Sequence, residues 1–265
     1  MAPFSLVTPA SRGIGFHLTR HLLRTTSLPV VATARKNMEH VRKGLLKDMN
    51  DIDPERLTVL ELDVTDESTI AHASSTLQST FPPSKNHLHL AFSLPGILYP
   101  EKSPSQLSHK ELTHTFAINT IGPLLLSKHF LPFLPKRSTS LPPPPPGSWV
   151  PQHATWVNMS ARVGSTTDNK LGGWYSYRAS KAGVNSLTKG FDIFVQQRCG
   201  EKAMVMAYHP GTVRTRLSKE FWGSVGRGKL FEPEWAVERM CSVVGEVGLK
   251  GRGRCWDWEG KEVLP

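Results

Sequence analysis

Short apolar runs of strand length alternate with helix-length amphipathic stretches along almost the whole chain. This alternation restricts the fold more than any other feature. The strand candidates are Phe4–Thr8, Val30–Thr33, Thr58–Asp63, Leu88–Ser93, Thr155–Met159, Met204–Tyr208 and Arg254–Trp258. Helical patterns fall near Phe16–Arg24, Met38–Met49, Glu67–Phe81, Lys110–Leu134, Tyr177–Arg198 and Glu232–Val247. A strand, a helix and another strand in succession make a parallel pair, because the helix carries the chain back to the starting edge of the sheet. Strands buried on both faces read as continuous apolar runs, and most of these do. The expected fold is α/β: a doubly wound parallel sheet of about seven strands with helices on both faces, one domain over residues 1–265.

One segment interrupts the alternation. Within residues 136–151, Leu141 is followed by five prolines and Gly147. Proline lacks an N–H and has a fixed φ, which excludes helix and inner strand. A Pro-rich surface loop is expected here, not a domain linker, since the next strand completes the same sheet. The formal net charge of +10 raises the question of nucleic acid. The basic residues are scattered, however, so no nucleic-acid partner is expected, and the charge suits an anionic cofactor equally well. No apolar run reaches membrane length; Ile121–Leu134 is cut by Pro123, Lys128, His129 and Pro132. The first strand starts at Phe4, leaving no room for a presequence. Cys199, Cys241 and Cys255 match no metal-ligand spacing and read as free thiols of a reducing compartment. The expected location is cytoplasmic.

The first strand runs into Thr8-Pro9-Ala10-Ser11-Arg12-Gly13-Ile14-Gly15 and then a helix. Glycines at such a turn let the backbone approach a pyrophosphate, whose charge lies against the helix N-terminus. An acid at the end of the second strand would bind the ribose hydroxyls of NAD, but that strand ends Ala34-Arg35. Arg12 and Arg35 suit a 2′-phosphate, so NADP(H) is the expected cofactor. Further on, Tyr177 and Lys181 stand four residues apart at the start of an apolar-periodic run. That spacing puts both side chains on one helix face. A neighbouring ammonium favours the phenolate, so the pair is expected to lower the tyrosine pKa and make it a proton donor or acceptor.

Taken in order, these residues resemble the short-chain dehydrogenase/reductase family, and within it the branch of the C-factor protein and the sniffer-type carbonyl reductases. The resemblance implies a Rossmann-type sheet. Thr8, Ser11, Arg12, Gly13, Ile14 and Gly15 match the phosphate turn, with Pro9 in place of its first glycine. Asp63-Val64 is similar to the pair that contacts adenine. Ser93-Leu94-Pro95-Gly96 stands where the family has Asn-Asn-Ala-Gly, and only Gly96 survives. Asn119 matches the active-site asparagine, and Tyr177 with Lys181 the Tyr-x-x-x-Lys pair. His209 to Thr215 resembles the turn that holds the nicotinamide end, with Val213 and Thr215 as contacts. Many members carry the catalytic serine second in a Ser-Ser pair. Here that pair reads Ser160-Ala161, which leaves Ser160, favoured at the strand end, and Ser165 as candidates.

The implied reaction is hydride transfer between NADP(H) and a carbonyl or alcohol carbon of a small molecule. Tyr177 would give the proton, and Lys181 would lower its pKa and grip the nicotinamide ribose. Ser160 would bond the substrate oxygen, and Asn119 would hold a water linked to Lys181. The expected cavity walls are residues 94–99 and 164–174, with 216–230 as a lid. Leu171, Trp174, Phe221 and Trp222 suggest an apolar or aromatic substrate. The family's habits imply a homodimer or homotetramer through residues 119–134 and 177–198. A regulatory nucleotide-binding protein with little turnover is the alternative, and an intact Asn119, Tyr177 and Lys181 weighs against it.

Overall fold

The computed structural model describes residues 1–265. Ten strands form in chain order: β1 Ala2–Thr8, β2 Val30–Ala34, β3 Leu57–Glu61, β4 Asn86–Ser93, β5 Ala154–Met159, β6 Ala203–His209, β7 Thr212–Val213, β8 Leu230–Phe231, β9 Cys255–Asp257 and β10 Glu262–Val263. Eight of them make one sheet in the order β10-β9-β6-β5-β4-β1-β2-β3. All its pairings are parallel except β9 with β10. The seven expected strands are present. The eighth, β10, spans two residues, too short to leave a pattern in sequence. β7 and β8 form a separate two-stranded ladder.

Seven α-helices cover the sheet: α1 Gly13–Thr25, α2 Met38–Leu46, α3 Glu67–Thr80, α4 His109–Phe116, α5 Gly122–Phe130, α6 Tyr175–Cys199 and α7 Pro233–Val247. Leu18, Leu22, Val41, Leu45, Val237 and Met240 of α1, α2 and α7 pack on one face of the strands. Ile70, Leu77, Leu126, Phe130 and Val195 of α3, α5 and α6 pack on the other. The chain therefore winds outward from β1 to β3, then restarts at β4 on the other side of β1. At that switch point two successive crossovers diverge and leave a crevice at the carboxyl ends of the strands.

The expected continuous helix over residues 110–134 is broken. Between α4 and α5 lies one π-turn, Ala117–Ile121, and a 3₁₀ turn, Leu131–Phe133, ends the run. Pro123 has no N–H for the carbonyl four residues back, and the wider turn takes its place, with Gly122 N–H bonding Ala117 O. The proline-rich loop leads from α5 to β5 at the opposite, amino end of the sheet. It is fastened where Ser148 N donates to Pro145 O (3.0 Å) and Trp149 Nε1 to Thr25 Oγ1 (3.2 Å). No helix is long and apolar enough to cross a membrane.

Candidate active site

A cavity of about 810 Å³ opens at the carboxyl ends of the central strands. The turn after β1 forms one wall with Arg12, Gly13, Ile14 and Gly15. Here α1 begins immediately after Arg12, whose backbone is extended. No side chain caps its first N–H groups, and no acid sits in its first turn. The helix thus presents bare donors and the positive end of its dipole to the cavity. Gly13 has φ +57°, and a Cβ on Gly15 would lie 1.9 Å from Pro9 O. The turn is closed so tightly that only glycine fits, which leaves backbone, not side chains, facing an incoming anion.

Thr8, Ser11, Arg35, Asp63, Val64 and Asn119 lie outside the cavity wall. Arg35 stands at the end of β2, 4.0 Å from Asp63, with 61% of its side chain exposed. Arg12 and Arg35 follow neighbouring strands, β1 and β2, so two unneutralised or weakly paired cations flank the glycine turn.

The opposite wall is α6. Its N-terminus is pinned by Trp174 N donating to Glu101 O (2.6 Å) and by a short bond from Ser176 Oγ to Glu101 Oε1. Tyr177 is 8% exposed and Lys181 1%, and both line the cavity. Gly164 brings the β5 end against this helix, since a Cβ there would lie 2.7 Å from the Lys181 carbonyl carbon. Lys181 Nζ donates to Met159 O at 2.7 Å and stands 5.8 Å from the Tyr177 ring centroid. The pKa shifts correct the expectation from sequence. Burial pushes the Tyr177 phenol up to about 12, and burial lowers Lys181 to about 8. In both groups loss of solvation of the charged form is the leading cause.

Asn119 sits in the π-turn, fully buried. Its Oδ1 accepts from Ile97 N (2.8 Å), and its Nδ2 donates to Ile97 O (2.9 Å) and Ser180 Oγ (3.0 Å). The amide thus ties the loop after β4 to α6, with both of its ends engaged. The side chain thereby positions these two elements. Ser160 reaches the cavity wall, whereas Ser165 does not. Ser160 Oγ nevertheless donates to Asn185 Oδ1 (2.6 Å) on α6, and Ser165 Oγ accepts from Asp168 N (3.0 Å).

The family model described as enoyl-(acyl carrier protein) reductase matches residues 9–246, most of the chain. The protein belongs to the short-chain dehydrogenase/reductase family. A 1-hydroxy-2-glutathionyl-2-methyl-3-butene dehydrogenase from Rhodococcus sp. is 27% identical over 250 residues, 94% of this chain and 93% of its own. A carbonyl reductase from chicken fatty liver, solved with NADPH bound, superimposes with TM-score 0.82 at 28% identity, covering 100% of this chain and 99% of that one. The carbonyl reductase Sniffer of D. melanogaster shares the fold, with TM-score 0.81 at 23% identity and full coverage of both chains.

In this short-chain dehydrogenase/reductase the cavity is completed by the loop after β4 and by the β7–β8 insertion. Val213, Thr215, Leu217 and Phe221 line it, as do Leu94 to Pro100. Trp174 and Phe221 stand together, ring centroids 4.7 Å apart. Two expected wall residues are elsewhere. Leu171 is 91% exposed, and Trp222 is turned away, its Nε1 on Ser218 Oγ (2.9 Å) and its ring under the Arg214 guanidinium (4.8 Å). Tyr99, expected on the wall, and His209, at the head of the expected turn, line the cavity, as does Ala161, to which sequence reasoning gave no place in the site. His209 is the most telling of these. Burial lowers it to about 3, and its Nδ1 has no partner. Its place beside the Pro210-Gly211 turn was the available signal.

Proposed function

We propose that the protein is an NADPH-dependent reductase that interconverts a carbonyl and an alcohol on a small, apolar or aromatic molecule. One observation carries this reading. The phenol of Tyr177 and the ammonium of Lys181 face the same cavity as the uncapped start of α1. The residues present fit the cofactor: the Gly13–Gly15 cradle and the α1 N-terminus for the pyrophosphate, Arg12 and Arg35 for the 2′-phosphate, Asp63 and Val64 for the adenine. Gly96, Val213, Thr215 and Lys181 serve the nicotinamide end. Bound NADPH supplies the hydride. The related chicken carbonyl reductase holds NADPH in the same fold.

The protein's own part is to place the carbonyl and meet the charge that forms on its oxygen. A phenol near pKa 12 is fully protonated at neutral pH, so Tyr177 enters as an acid. As its proton moves to oxygen, the phenolate left behind is held by the Lys181 ammonium, which Met159 O aims. Asn119 keeps Ile97 and Ser180 in register beneath them. The homodimer or homotetramer belongs to the same reading. Ile121, Leu124, Ile193 and Phe194, each about half exposed, lie on the helices that would meet, and size-exclusion chromatography with light scattering decides it.

The test is oxidation of NADPH or NADH in the presence of a panel of aldehydes and ketones. Turnover with at least one carbonyl, faster with NADPH, is expected. Tight NADPH binding with no turnover on any of them would favour the regulatory alternative.

A further inference from the structure

The end of β5 and the start of α6 bring several hydroxyls towards the reacting end of the cavity, and all but one are already committed. Ser160 reaches the wall, but its Oγ donates to Asn185 Oδ1 (2.6 Å) and lies 3.5 Å from Lys181 O. Ser176 donates to Glu101, and Ser180 to Tyr177 O (2.8 Å). Tyr177 alone retains a free O–H, and burial is the only influence on its pKa.

The strand period explains why. Asn158 and Ser160 point to the α6 side, where Asn158 Nδ2 donates to Thr188 Oγ1 (3.0 Å). Successive residues of extended chain point to opposite sides. Ala161, still extended at φ −153°, takes the next position and lines the cavity beside Ser160 with a methyl group. A carbonyl oxygen polarised by one donor instead of two loses much of its transition-state stabilisation, since one such donor is worth about 10²–10³ in rate.

We propose that this is a single-donor site, and that Ala161 sets its substrate range. Resting on the reductase reading, the inference is that the enzyme selects carbonyls by their intrinsic electrophilicity. The carbonyl carbon receives a hydride as NADPH becomes NADP⁺, the C=O π pair moves to oxygen, and oxygen takes the Tyr177 proton. Solvent then reprotonates the phenolate. With one donor, an electron-withdrawing neighbour on the substrate must supply the polarisation that a second hydroxyl would give. The Trp174–Phe221 corner favours an aryl group on that substrate.

The experiment compares 1-phenyl-1,2-propanedione with propiophenone, which differ by one adjacent carbonyl, in wild type and Ala161→Ser. Ring-substituted propiophenones give the slope of log kcat/KM against substituent electron withdrawal. In wild type the dione is expected to be strongly preferred and the slope steep. Ala161→Ser should raise kcat/KM for propiophenone about tenfold or more, raise the dione less, and flatten the slope. NADPH affinity, read by quenching of protein fluorescence, should be equal in both proteins. Comparable turnover of the two ketones by wild type would overturn the single-donor site while leaving the reductase reading intact. So would an unchanged slope in Ala161→Ser. If neither protein reduces either compound, the reductase reading fails and this inference with it.

Discussion

The two ends of the central sheet both bury groups that titrate, yet only one end opens them to a cavity. At the carboxyl end, Tyr177 and Lys181 are shifted to about 12 and about 8. At the amino end, beside the proline-rich loop, three histidines are packed between β4 and β5: His87, His89 and His153 are 0%, 5% and 8% exposed. His89 Nε2 donates to Pro151 O (2.9 Å), so its Nδ1 must accept from His87 Nε2 (3.1 Å). Burial lowers both His87 and His153 to about 4. The same physical cause, loss of hydration of the charged form, acts at both ends. The difference is access. The phenol faces a cavity open to a small molecule, whereas the imidazoles are enclosed and can only couple protonation to unfolding. A perturbed pKa marks function here only where it coincides with a cavity.

The sharpest way to break this contrast is Tyr177→Phe. Turnover should fall by about 10²–10⁴, while NADPH still quenches protein fluorescence and Tm stays near that of wild type. Near-normal turnover would strip the carboxyl end of its chemical role. Next in size is the double change Arg12→Ala with Arg35→Ala. Loss of two charge-assisted contacts should weaken NADPH by about 10²-fold and NADH by far less, as measured by titration. Equal losses would show that neither arginine reads the 2′-phosphate.

Lys181 gives a smaller, pH-dependent effect. Its ammonium is present below about pH 8, so NADPH affinity should weaken as pH rises through that value. Lys181→Met should be weaker throughout and show no inflection there. The smallest effect belongs to the amino end. His87 and His153 have folded pKa values of about 4, below the 6.5 of the free side chain. The unfolded chain therefore binds more protons between these values. Stability is full above pH 6.5 and is lost as pH falls through about 4. Thermal melts should show Tm dropping across that window, and His153→Phe should lessen the drop while kcat at pH 7 is unchanged. A Tm independent of pH from 6.5 to 4 would mean that these histidines are not held neutral.

Much of the fold was legible because its signals are local and repeated. Seven apolar strands, the glycine turn and the Tyr177–Lys181 spacing each follow from a period or a steric limit within a few residues. The break at Ala117–Ile121 was less visible, because Pro123 announces a defect but not the π-turn that absorbs it. The two-residue β10 is too short for a pattern. The site was legible by residue type and misread in its energetics. Four-residue spacing put Lys181 beside Tyr177, but how strongly burial penalises the phenolate depends on packing from β5 and the β4 loop, which no local window contains. Likewise, Ser160 looked like the donor because it carries a hydroxyl at the wall, yet its Oγ is bonded to Asn185 and Ala161 lines the cavity beside it. Leu171 and Trp222 are apolar in composition and off the cavity in fact.

The central claim is that the cavity beside Tyr177 moves a hydride to a carbonyl carbon as this phenol gives its proton. NADPH carrying deuterium on the transferred side of C4, incubated with 1-phenyl-1,2-propanedione, tests it most directly by mass spectrometry and NMR of the product. We expect one deuterium on the new carbinol carbon with wild type and almost none in the same time with cofactor-saturated Tyr177→Phe. An unlabelled product, or equal labelling by the two proteins, would contradict the account.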